Sequence, residues 1–65
     1  MTWGQSNNIE YTNTGRFFIA NVGIMQGKTG ELVKILSWSG YILKFNIDNE
    51  DKYLTYAISD VTEVL

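Results

Sequence analysis

The chain has 65 residues, 45% hydrophobic and 14% aromatic, with a net charge of −2 and no cysteine, histidine or proline. A chain this short makes one domain and buries only roughly 60% of the surface it exposes when unfolded. With neither disulfides nor Cys/His zinc sites to brace it, apolar packing must hold it together.

Residues 1–7 are polar apart from Met1 and Trp3 and read as an N-terminal arm anchored by the indole. They carry no basic residue and no apolar run of leader length, so no signal peptide is expected. Residues 8–12 alternate weakly through Ile9 and Tyr11, giving a short first strand, and Asn13-Thr14-Gly15 supplies a turn. Residues 16–24 are β-branched and aromatic and predict a second strand. Its adjacent Phe17 and Phe18 must point to opposite faces unless a bulge intervenes. Met25 to Gly30 reads as loop and turn. Residues 31–37 follow as a strand, with Val33 and Ile35 on one face and Leu32 and Leu36 on the other.

Trp38-Ser39-Gly40 predicts a tight hairpin in which Gly40 takes the unusual backbone angle. Residues 41–47 have the cleanest period of two, with Tyr41, Leu43, Phe45 and Ile47 opposed to Ile42, Lys44 and Asn46. Asp48-Asn49-Glu50-Asp51 is an acidic turn, residues 52–57 a further strand, Ser59-Asp60-Val61 a helical turn capped by Ser59, and residues 62–65 a last extended piece. Turn signals every 8 to 12 residues between short strands predict an all-β antiparallel barrel of five or six strands, occupying residues 8–65. The longest apolar runs are about four residues, far below the roughly 20 that span a bilayer. A soluble, cytoplasmic protein is the expectation.

From residue 17 onward the order of elements resembles an SH3-like small β-barrel. Gly27-Lys28-Thr29-Gly30-Glu31-Leu32-Val33 is similar to the glycine-plus-hydrophobe signature of KOW-type barrels of ribosomal and transcription-elongation proteins. Ile58-Ser59-Asp60-Val61 resembles the short 3₁₀ turn before the last strand of such barrels. The resemblance implies that glycine spares a side chain where the chain turns sharply and that Leu32 enters the core. It also implies RNA or ribosome association, for which the candidate phosphate contacts are Lys28, Lys34 and Lys44, with Tyr41 or Trp38 stacking a base.

Charge qualifies that implication. Residues 1–45 carry net +2 and residues 46–65 net −4, and a pI near 4.7 argues against phosphate binding as the main role. Without His or Cys, catalysis would fall to carboxylates, Lys, Tyr or Ser, and none forms a recognisable constellation. Asp48, Glu50 and Asp51 offer oxygen ligands but lack the ladder of a calcium loop, and Gly27 to Gly30 matches no phosphate-binding fingerprint. No metal or cofactor is expected.

Aromatic side chains are the stronger signal. Trp3, Trp38, Tyr41 and Tyr53 are the candidate partner-binding residues, Trp38 foremost because it stands at a hairpin tip. The leading expectation is a non-enzymatic protein-interaction module, such as a phage- or mobile-element-encoded modulator of a host protein. A KOW-like RNA-associated domain is the alternative, and an enzyme comes third. Self-association through an edge strand at residues 8–12 is a further expectation.

Overall fold

The computed structural model describes residues 10–36 and 39–65. The expected arm at residues 1–7, with Trp3, and the hairpin residue Trp38 lie outside the described residues. Five strands form one antiparallel sheet: β1 (Phe17–Ala20), β2 (Thr29–Leu36), β3 (Gly40–Ile47), β4 (Glu50–Ala57) and β5 (Val61–Val64), with a 3₁₀ turn at Ile58–Asp60. Their order across the sheet is β4-β3-β2-β1-β5. The expected five antiparallel strands are present in one sheet; the sheet is not closed, and β4 and β5 stand at its edges.

One face of the sheet makes the core. Phe18 and Ala20 of β1, Leu32 of β2, Leu43 and Phe45 of β3 and Tyr56 of β4 are buried together with Met25 from the β1–β2 connection. Leu54 of β4 and Val61 of β5 pack against the same cluster although their strands stand at opposite edges. The sheet therefore curls around its own core, as the right-handed twist of strands permits.

The period-two pattern of residues 41–47 places Leu43 and Phe45 of β3 in the core and leaves Asn46 exposed, but Ile42, on the face opposite the core, is buried as well. Phe17 and Phe18 do point to opposite faces: Phe18 is 4% exposed and Phe17 43%. Elsewhere local expectation gives way. The strand expected over residues 16–24 ends at Ala20, because Gly23 turns the chain at φ 82°. Ile24 is left in solvent and Met25, expected in a loop, enters the core instead. A β-bulge between Leu32 and Lys34 breaks the alternation of β2, so Leu32 and Val33, expected on opposite faces, are both buried.

Turn chemistry also departs from expectation. In the β2–β3 hairpin the positive φ belongs to Ser39, at 74°, while Gly40 is already paired within β3. Asp48 and Asn49 alone make the β3–β4 turn, at φ 55° and 67°, so β4 begins at Glu50, paired with Ile47, rather than at Lys52. Two consecutive positive φ values match the twist of a two-residue hairpin, and Asp and Asn tolerate them better than most residues. The 3₁₀ turn starts at Ile58 with Ala57 at its N-cap and no side-chain cap bond, which corrects the capping role given to Ser59.

Gly30 has a packing role. A Cβ built there would lie 2.9 Å from Cε2 and 3.0 Å from Cζ of Phe45, and 3.0 Å from the carbonyl oxygen of Lys44. The glycine lets the Phe45 ring seat directly against the β2 backbone.

Candidate functional site

The segment expected as a first strand is not an edge of the sheet. Its described part, from residue 10, lies against β2, and its side chains meet residues of the outer face, opposite the core. Thr12 N–H donates to the Val33 carbonyl (2.9 Å), and the Thr14 hydroxyl to that of Leu32 (2.6 Å). The bulge supplies this anchorage, since an extra residue in one strand takes its backbone groups out of the ladder. Farther across, Lys44 Nζ donates to Asn13 Oδ1 (3.1 Å), and the Tyr11 ring stacks on that of Tyr53 at 4.4 Å and 11°. The segment is thus bonded to β2 through its backbone and reaches β3 and β4 through the side chains of Asn13 and Tyr11.

This arrangement separates the residues proposed for binding. Tyr53 lies on the outer face under Tyr11. Tyr41 packs against the core, its ring tilted at 54° to Phe18 with centroids 5.1 Å apart. The two tyrosines therefore do not form one patch. Lys34 and Lys44 share the outer face, but Glu31 stands directly opposite Lys44 and Asn13 binds its ammonium. Lys28 is exposed in the turn before β2.

Neither acidic nor glycine turn is arranged as a ligand site. Asp51 accepts from Asn46 Nδ2 at 2.9 Å, and Glu50 pairs with Lys52 at 3.1 Å. Among the described residues no three His, Cys, Asp or Glu side chains converge as metal ligands. The amides of Gly27 and Lys28 donate to the carbonyls of Ala20 (2.8 Å) and Met25 (2.9 Å), so the turn spends them internally. An open depression of about 240 Å³ near the β2–β3 hairpin is lined by Leu36, Ser39, Gly40, Thr55, Tyr56 and Ala57, a set with no charged group.

The two sheet edges differ more tellingly. β4 opens with the exposed Glu50, Asp51 and Lys52, and charged side chains of this kind discourage strand addition. β5 reads Val-Thr-Glu-Val. Val64 is directly opposite Phe17, and the pair is 44% and 43% exposed on the outer face.

Hydrogen-bond phase determines what the β5 edge offers. Ala20 N–H donates toward β2, to Lys28 O (3.1 Å), whereas Asn21 N–H donates the other way, to Asp60 O (2.9 Å). Backbone groups alternate sides along an antiparallel strand. Phe17 and Ile19 therefore exchange bonds with their register partners Val64 and Thr62, and the backbone groups of Val61 and Glu63 face outward. The Val61 N–H is taken by Ile58 O in the 3₁₀ turn. Among the described residues, what remains at the edge is the carbonyl of Val61 and both the N–H and the carbonyl of Glu63.

The Glu63 side chain is held in place by Arg16, whose Nε and Nη2 donate to Oε2 (3.0 Å) and Oε1 (3.3 Å). Those hydrogen bonds hold the Glu63 carboxyl below its ordinary value and the guanidinium above its own. Arg16 also stands over the Phe18 ring at 5.5 Å, within cation–π reach.

The β5 edge was not among the residues singled out from sequence. Its one local signal is the Phe17-Phe18 pair, which forces an aromatic outward; that Val64 lies beside it depends on long-range pairing. No helix among the described residues is long and apolar enough to cross a membrane. No protein family, curated protein or solved structure gives a significant match to this chain.

Proposed function

We propose that this protein is a non-enzymatic protein-binding module that takes up an extended segment of its partner along β5. The observation that carries the reading is the β5 edge, which pairs with no other strand among the described residues, with the exposed Phe17–Val64 pair beside it. Strand addition draws affinity from main-chain hydrogen bonds and specificity from alternate side chains, and β5 supplies both. A five-stranded antiparallel sheet with a 3₁₀ turn before its last strand supports an SH3-like skeleton, here in an open form.

Immobilised protein incubated with a bacterial lysate tests this through variants. Val64→Lys places a charge where an added strand must pack, and its capture of specific partners should fall below that of wild type, whereas Tyr53→Ala should retain them. Capture lost with Trp38→Ala but kept with Val64→Lys would move the site to the hairpin. Capture that disappears with ribonuclease treatment would favour the RNA-associated alternative built on Lys28, Lys34 and Lys44.

A further inference from the structure

Resting on that reading, we infer that the β5 edge selects a strand with a basic residue opposite Glu63 and an apolar residue opposite Val64. The residue that pairs with Glu63 would exchange both backbone bonds with it, because Glu63 is the position on β5 whose N–H and carbonyl are both free. In a hydrogen-bonded antiparallel pair the two Cα atoms stand about 5.5 Å apart with side chains on the same face. An incoming Lys or Arg at that place therefore lies beside the Glu63 carboxylate. Arg16 uses one acceptor position on each carboxylate oxygen, and a carboxylate has about four, so room remains for a second cation.

The next residue of the incoming strand falls on the outer face beside Val64. An apolar side chain there extends the Phe17–Val64 row by one member. Charge favours the same partner at longer range, since the last twenty residues carry net −4 and opposite charge speeds encounter.

The same geometry disfavours a second copy of this chain as the occupant. In-register pairing of β5 with itself sets two Glu63 carboxylates directly opposite, a destabilising arrangement. Shifting the register by two residues pairs Glu63 either with Val61, whose N–H is already committed to Ile58 O, or with Leu65, which lies beyond β5.

The test uses short capped peptides of alternating valine and threonine, with lysine or glutamate at the centre, added at millimolar concentration to the full chain. Binding is read from the amide resonance and hydrogen exchange of Glu63 and from titration at low and high salt. The lysine peptide should slow exchange of the Glu63 amide and bind at least about 3-fold more tightly than the glutamate peptide, the scale of a cross-strand charge pair, with the difference shrinking in salt. The double variant Arg16→Glu/Glu63→Arg keeps an ion pair of reversed polarity and should reverse the preference. Equal protection of Glu63 by both peptides overturns the charge selection and leaves strand addition standing. Absence of protection on β5 with either peptide overturns both.

Discussion

Replacing Gly30 by alanine tests whether the core depends on the close seat of Phe45. The new methyl carbon would stand 2.9 Å and 3.0 Å from two ring carbons and 3.0 Å from the Lys44 carbonyl oxygen, against about 3.5–4.0 Å for relaxed carbon contacts. The ring has little room to retreat. Phe45 is 1% exposed, and it meets Tyr56 edge-on with centroids 6.1 Å apart. The carbonyl oxygen belongs to β3, which is paired on both sides. Overpacking of this kind costs about 1–3 kcal/mol, and the lower chain entropy of unfolded alanine offsets about 0.4–1 kcal/mol of it. A net loss centred on about 1.3 kcal/mol, and no more than about 2.6 kcal/mol, follows, a sizeable share of the about 3–5 kcal/mol that a core of this size supplies. Urea titration followed by circular dichroism should show a lower midpoint with an unchanged slope, and thermal melting a fall of roughly 5–15 °C. Adding Phe45→Leu relieves the contact, so the double variant should lose less than the two single losses summed, by at least about 0.5 kcal/mol. A Gly30→Ala protein as stable as wild type, or strict additivity with Phe45→Leu, would refute the reasoning.

Three further outcomes follow from named contacts. Because Arg16 lowers the pKa of Glu63 in the folded state, the pair contributes stability above the ordinary carboxylate range and loses it as pH falls through the folded value. Glu63→Gln should accordingly have a lower urea midpoint than wild type near pH 7, with the gap narrowing as pH falls below the ordinary carboxylate range; a gap that does not change with pH counts against the pair. Burial raises the pKa of Tyr56 above its ordinary 10.0, so its contribution is complete below that value and is lost as pH rises through the folded one. Tyr56→Phe should unfold at higher alkaline pH than wild type, and coincident alkaline transitions would contradict this. Tyr11→Ala removes the ring stacked on Tyr53, at a cost of about 0.5–1.5 kcal/mol. Hydrogen exchange should accelerate at the Thr12 and Thr14 amides while Leu43 and Phe45 stay protected, whereas unchanged exchange at Thr12 would mean the ring does not hold the segment down.

Legibility of the chain followed the range of the physics involved. The strand at residues 41–47 was readable because side chains alternate across a strand wherever it pairs, and its apolar face supplies Leu43 and Phe45 to the core, although Ile42 on the other face is buried as well. The outward turn of one member of Phe17-Phe18 was readable for the same reason. The bulge at Val33 was not, since its carbonyls accept from donors, the Thr12 N–H and the Thr14 hydroxyl, of a segment some twenty residues earlier. Neither was the exchange of Ile24 for Met25, where the β1–β2 connection chooses which side chain meets the core. Tyr41 and Tyr53 looked alike as aromatic candidates, and pairing with Tyr56 and Lys44 sent them to opposite faces.

Sequence alone thus determined an all-β antiparallel domain with a 3₁₀ turn before its last strand, because alternation, glycine and turn residues act over a few neighbours. Tertiary structure decided that the sheet stays open, that the N-terminal segment covers the outer face instead of lining an edge, and that Glu63 and Val64 border the free edge. Those outcomes come from hydrogen bonds and packing between residues as far apart as Arg16 and Glu63. Such pairings depend on which backbone groups remain unsatisfied once the whole chain has folded.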